Sequence, residues 1–148
     1  MEWTWQQGDA SYTLTTDAAR VDLDVTHGFL TRSYWAKGIS RALVARSIEG
    51  SMPFVLLRDG EQVGFARVIS DRATFAYVAD VFVIEPERGR GAARWMMTCI
   101  LSHPDLEGVR RVHLVTLDAK PLYDRVGFRP IAHPERHMEK VRENPYAS

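Results

Sequence analysis

The run VFVIEPERGRGAARWMM, residues 81–97, limits this chain more than any other segment. An apolar, β-branched stretch stops at Pro86, Arg88 and Arg90 bracket Gly89, and Gly91 opens a stretch with helical periodicity. A strand that turns directly into a helix presents the first backbone N–H groups of that helix, which have no partner within it. Those donors carry the positive end of the helix dipole and favour an anion, most naturally a phosphate. Gly89 and Gly91 allow close backbone approach, and Arg88 and Arg90 add charge, so the segment reads as a diphosphate cradle. The competing reading is a tight turn with solvated arginines. Two nucleotide alternatives weaken on the residues themselves. No Gly-Lys-Ser/Thr ends the turn as in a Walker loop, and Arg94 follows where a dinucleotide fingerprint needs its third glycine.

The surroundings of this junction alternate between helix and strand signals. SYTLTTD predicts a short strand near Tyr12–Thr15, and Val21 to Ser51 is helical in pattern. Val25, Phe29 and Leu30 share one helical face; Ile39, Leu43, Val44 and Ile48 share another, with Ser40 placed to cap. The aromatic linker SYWAKG separates the two helices. Asp59-Gly60, between two strand-like runs, predicts a type I′ hairpin. ATFAYVADVFVI predicts a central strand, and GAARWMMTCILSH a helix with Ala92, Met96, Cys99, Ile100 and His103 along one stripe, stopped by Pro104. VRRVHLVTL predicts a further strand, which the intervening helix allows to run parallel to its predecessor. A short helix KPLYDRV and a strand from Gly127-Phe128 complete the pattern, and Pro134–Ser148 carries no strong structural signal. The expectation is one α/β domain over residues 1–148, with antiparallel strands leading into a parallel pair and helices on the flanks.

Charge and cysteine usage narrow the function classes. Lys plus Arg number 19 against 19 Asp plus Glu, so no global field draws nucleic acid or anionic membrane, and the basic stretch lacks interleaved aromatics. No apolar run approaches membrane-spanning length, and the N-terminus lacks the pattern of an export signal. The single cysteine, Cys99, excludes an internal disulfide or a thiolate metal cluster and points to a reducing, cytoplasmic setting. The histidines show no metal-motif spacing, so no metal is expected. Exposed sheet edges offer a surface for a homodimer.

With these residues in view, VFVIEPERGRGAARWMM resembles the cofactor motif of the GNAT superfamily of acyl-CoA-dependent N-acyltransferases, Q/R-x-x-G-x-G/A after an apolar strand, matched at Arg88, Gly91 and Ala93. LDAKPLYDRVGFRPI resembles a second family segment, matched at Tyr123, Gly127 and Phe128. The order of elements from about Asp22 to Ile131 is also the family order. The resemblance implies acetyl-CoA as co-substrate, its diphosphate held by backbone N–H groups of Arg88, Gly89, Arg90, Gly91, Ala92 and Ala93. It implies a pantetheine arm paired with the backbone of Val81, Phe82 and Val83, where the fourth and fifth main strands splay apart. Asp118 stands beside the coenzyme where relatives often carry asparagine. An amine would then attack the thioester directly, its oxyanion held by the backbone N–H of Phe82 or Val83.

Two proton transfers remain in that scheme. A lysine-like amine has a pKa of roughly 10.4, so near pH 7 only about one molecule in a few thousand is a nucleophile. Asp80, set in apolar YVADVFV, is the favoured base; its alternative role is to cap or to pair with an arginine, with Asp118, His27 or a water chain as rivals. Tyr123 would protonate or hydrogen-bond the departing thiolate; its alternative role is core packing. His27, Tyr34 and Trp35 are expected to line the acceptor pocket, where aromatic walls suit an amine. The acceptor is a small-molecule or protein amine. A coenzyme-binding sensor without turnover is the alternative from another class.

Overall fold

The structure, a computed structural model, describes residues 1–146, so Ala147 and Ser148 at the end of the unassigned tail lie outside the described residues. The chain begins with a hairpin of β1 (Glu2–Gln7) and β2 (Ala10–Thr15), turned at Gly8 with φ 59°. Only the second of these strands was expected. Strand β1 lies at the sheet edge with its outward residues exposed, so its signal reduces to Trp3 and Trp5 at alternate positions. Their contacts come from far along the chain: Trp3 stacks on Phe54, and Trp5 on Trp95 at 5.4 Å.

Helices α1 (Leu23–Leu30) and α2 (Arg41–Glu49) follow, each with a side-chain cap on its free N–H groups. Asp22 accepts from the amides of Asp24 and Val25, and Ser40 accepts from Leu43 at 3.2 Å, as its position predicts. Leu43 is exposed, and α2 is anchored by Val44 and Ile48 instead. The linker SYWAKG is the loop between the two helices.

Strands β3 (Met52–Arg58), β4 (Glu61–Ser70) and β5 (Phe75–Val83) form an antiparallel meander. Asp59 and Gly60, flanked by the pair Arg58–Glu61, have φ of 51° and 82°, the positive values that a type I′ turn requires. Helix α3 (Ala92–Leu101), strand β6 (Arg111–His113) and helix α4 (Lys120–Asp124) complete the regular elements. The sheet runs β1-β2-β3-β4-β5-β6, antiparallel except for the parallel β5–β6 pair, with helices on its flanks as expected.

Two strand expectations at the C-terminal side are corrected. The VRRVHLVTL strand pairs only over Arg111–His113, against Phe75–Tyr77, and then leaves the sheet. No strand starts at Gly127-Phe128 among the described residues, because both amides close helix α4: Gly127 donates to Asp124 O and Phe128 to Tyr123 O. Gly127 has φ 100°, the left-handed geometry of a helix end, and Pro130 has no N–H to offer a ladder. Beyond it the tail makes a turn at Pro134–Arg136 and brings Tyr146 against the apolar cluster at α1 and α2.

Apolar side chains cover both faces of the sheet. One cluster joins Tyr12, Leu14, Phe54 and Leu56 to Met96, Met97 and Ile100 of α3; the other joins Leu30, Val44 and Ile48 to Phe65 and Phe82. Each fully buried large side chain contributes roughly 1.5–3 kcal/mol relative to exposure. Between the clusters β5 carries a bulge. Phe65 faces Phe82 but Arg67 faces Ala79, so Asp80 and Val81 together oppose Ala66, and Asp80 adopts φ 55°. A bulge bends its strand and raises the local twist.

Candidate active site

The junction at residues 85–92 forms a groove of about 370 Å³, lined by Val83, Gly89, Gly91, Ala93, Arg94 and Arg125 among others. Gly91 is the N-cap of α3 in left-handed geometry, φ 84°, and no side chain caps the helix. The first internal bond of α3 is Trp95 N–H to Gly91 O, so the amides before it face outward. A Cβ on Gly89 would meet nothing within 4 Å and one on Gly91 only the Trp5 ring, so both glycines are needed for φ above +80°. Free amides, a helix dipole and two flanking guanidiniums fit an anionic phosphate group.

The loop is fixed from behind by a buried carboxylate. Glu87 is 3% exposed and accepts from Arg58 and from the Tyr12 hydroxyl, which ties the loop to β2 and β3. Arg88 folds back, its Nε donating to Val83 O at 2.9 Å. Its side chain thus supports the loop while lining the groove, whose cationic walls it shares with Arg94 and Arg125. Arg90 is exposed and does not line the groove.

From this groove a strip of backbone leads inward. Ile84 N–H donates to Val63 O on the β4 side at 2.9 Å. Alternate residues of an antiparallel strand aim their amides at opposite neighbours, so Phe82 also points its amide at β4 while Val81 and Val83 point theirs away. Strand β6 pairs no further than Tyr77, so the Val81–Val83 edge has no strand beside it.

The strip ends at a cavity of about 500 Å³ between the 31–40 loop, β5, the 114–119 segment and α4. Tyr123 lines it, 8% exposed, with its ring edge-on to Phe128. Its hydroxyl makes no hydrogen bond among the described residues, and no side-chain polar atom is both sealed and unpartnered, so this group opens into the cavity. Burial first, then the nearby Tyr34 and Asp118, push the phenol up to about 12. Tyr34 and Trp35 both line the cavity and both are tied down: the Tyr34 hydroxyl accepts from Leu117 N–H at 3.2 Å, and Trp35 Nε1 donates to Asp80 Oδ1 at 2.8 Å.

Asp80 also accepts from Arg67 Nε, at 2.6 Å on Oδ2, so the arginine pairing anticipated as its alternative role is present. Asp118 is exposed and lines the cavity. His27 is a correction. Its Nε2 donates to Ile39 O at 3.0 Å, bracing α1 against the following loop, and it is not part of the lining. Arg67, Tyr77, Arg94, Arg125 and Tyr146 escaped sequence reasoning, since nothing in their local pattern separates them from ordinary surface or core residues. Among the described residues no group of three or more His, Cys, Asp or Glu could hold a metal ion.

A strand-to-helix groove with free amides, a bulged strand edge and an aromatic cavity thus lie along one mixed α/β fold. The sequence profile of the Acetyltransferase (GNAT) domain matches residues 49–130. A crystal structure from Xanthomonas campestris pv. campestris, described as a "putative acetyltransferase belonging to the gnat family", is 45% identical, with a TM-score of 0.89 over 93% of this chain and 97% of that one. A Gibberella zeae protein named "Putative acetyltransferase" is 28% identical over 144 residues, 82% of this chain and 79% of the relative. A GNAT family acetyltransferase from Elizabethkingia anophelis with acetyl-CoA bound shares the fold, with 13% identity and a TM-score of 0.64 over 90% of this chain and 89% of that one. The chain belongs to the GNAT acetyltransferase family and is by that membership an acyltransferase.

Proposed function

We propose that the protein transfers acetyl from acetyl-CoA to a primary amine by direct attack in a ternary complex. The observation that supports this best is continuity: the α3 amides, the free Val81–Val83 edge and the Tyr123 hydroxyl line one track from groove to cavity. Acetyl-CoA, when bound, supplies an activated thioester. The amides of Gly91, Ala92 and Ala93, with Arg94 and Arg125 beside them, hold its diphosphate. The Val81 and Val83 backbone pairs with the pantetheine arm and offers an N–H to the developing oxyanion; Phe82, whose amide faces β4, drops out of that role.

The amine nitrogen forms a bond to the acetyl carbon as the carbon–sulfur bond breaks. Asp80, or water next to it, takes the amine proton, using carboxylate lone pairs that Arg67 and Trp35 leave free. Tyr123 gives its proton to the departing thiolate and recovers it from solvent. With a pKa near 12 the phenol is protonated at any working pH.

Two measurements test the reading. Calorimetric titration with coenzyme A should show binding, and thiol release from acetyl-CoA should depend on an added primary amine. Binding without amine-dependent release from a broad panel would favour the sensor role.

A further inference from the structure

One cavity-lining residue has donors that the fold does not use. Arg67 lies on β4, its side chain 16% exposed, and lines the cavity beside Asp80. A guanidinium carries five N–H donors. Only Nε is engaged among the described residues, on Asp80. Because no side-chain nitrogen is both sealed and unpartnered, the terminal nitrogens of Arg67 reach open space, and the space beside them is the cavity. The stem is mostly buried while the terminal N–H groups have no protein partner among the described residues, so most of the donor capacity is free for a ligand.

We propose that Arg67 binds a carboxylate of the acceptor, and that the acceptor is a small free amino acid with its primary amine a few bonds from that carboxylate. This rests on the acetyltransferase reading and narrows it. The planar fork of an arginine matches a carboxylate through two parallel N–H···O bonds, a geometry that a lysine cannot reproduce. The spacing agrees. Arg67 stands opposite Ala79, and Val81 lies two residues further along β5, on the order of 5–7 Å at about 3.3 Å per residue. An α-amino or short ω-amino acid spans the distance between a guanidinium there and a thioester at the Val81–Val83 edge. Asp118 lines the same cavity, so a zwitterion finds a partner for each charge. The Tyr34–Leu117 bond ties two walls of the cavity together and Tyr146 lines it as well, an arrangement that a small free molecule fits without threading a polypeptide between them.

The test pairs amino acids with the amines left by removing their carboxylate: glycine with methylamine, β-alanine with ethylamine, phenylalanine with phenethylamine, plus a lysine-containing peptide. For at least one pair the amino acid should be preferred in kcat/KM by at least about tenfold, and Arg67→Lys should reduce that preference to about twofold or less. Calorimetric binding of coenzyme A to the variant serves as its folding control. Equal or better use of the bare amines, best use of the peptide, or an unchanged preference in Arg67→Lys would each overturn the assignment. Should the variant not fold, or no pair turn over, calorimetric titration of the same pairs into wild-type protein saturated with coenzyme A decides: carboxylate-dependent binding upholds the assignment and its absence overturns it. Absence of coenzyme A binding is the separate signature of failure of the acetyltransferase reading, and the inference falls with it.

Discussion

Replacing Tyr123 by phenylalanine removes one oxygen from a ring that is 8% exposed and held edge-on to Phe128. The hydroxyl makes no hydrogen bond among the described residues, so the native fold loses no internal partner, and stability should change by less than about 1 kcal/mol. The effect on turnover should be far larger. A hydrogen bond to a charged group contributes about 1.5–3 kcal/mol, roughly 10- to 150-fold in rate, and full proton donation contributes about 10²- to 10⁴-fold. Turnover by Tyr123→Phe should therefore fall at least about tenfold, while the coenzyme A dissociation constant stays within about threefold. A loss beyond about 150-fold identifies proton donation, and a smaller one a hydrogen bond to sulfur. Continuous measurement of thiol release, with calorimetry for binding, separates the two quantities. Turnover within about threefold of wild type would remove Tyr123 from the chemistry and leave it a packing residue.

Gly91→Glu places a carboxylate among the α3 amides at a position with φ 84°, and calorimetry should show coenzyme A affinity lowered at least about 100-fold. Gly64→Ala puts a Cβ 2.9 Å from Phe82 O and 3.0 Å from the Leu56 side chain, and denaturant unfolding should show a loss of about 1–3 kcal/mol. Asp80→Asn keeps a side chain tolerant of left-handed geometry but removes the charge that pairs with Arg67; turnover should fall most with strongly basic amines and least with weakly basic ones, and an equal loss across amine pKa would assign Asp80 to positioning alone. Alkaline pH should destabilise the fold. Burial raises Cys99 from 9.0 to about 11 and Tyr123 from 10.0 to about 12, so the folded chain holds these protons more tightly than the unfolded one. Stability is complete below about pH 9 and declines as pH rises through about 11 and 12. The tyrosine share, about 2–3 kcal/mol, should vanish in Tyr123→Phe, as denaturant unfolding across that range will show.

Features decided by local chemistry are legible in the amino-acid sequence. The Asp59-Gly60 turn, the Ser40 cap and the strand-to-helix junction each depend on a few adjacent residues whose backbone preferences admit little else. Strand β1 is not legible in that way, because an edge strand with one solvated face needs only two apolar residues, and Trp3 and Trp5 find their partners on β3 and α3. Gly127-Phe128 misleads for a related reason: the same glycine that can precede a strand can also end a helix, and the Phe128 bond to Tyr123 O decides for the latter. The cradle can be read as a motif, but which arginines face it cannot. Arg90 points away from the groove, and Arg125 reaches it from the end of α4, more than thirty residues on. Arg67 and Tyr146 enter the cavity from strands and tail that only tertiary folding brings together.

The bulge at Asp80 links the two halves of the site. Up to Val78 the even-numbered residues of β5 face the α3 cluster; beyond the bulge Val83 joins that cluster, and Phe82 instead stacks on Phe29 at 4.0 Å in the α1–α2 cluster. The extra residue exchanges the two faces of the strand midway. Without it, Phe82 would share a face with Val78, and the amides of Val81 and Val83 would turn from the open edge toward β4. Asp80 itself sits at φ 55°, a geometry that costs a non-glycine residue about 1–2 kcal/mol. Its carboxylate is held there by two charge-assisted bonds, from Arg67 and Trp35. The acid in the middle of YVADVFV thus has a structural duty that holds whatever its part in proton transfer: it fixes the bulge, the bulge exposes the backbone edge, and the same carboxylate fastens the aromatic loop over the cavity where that edge ends.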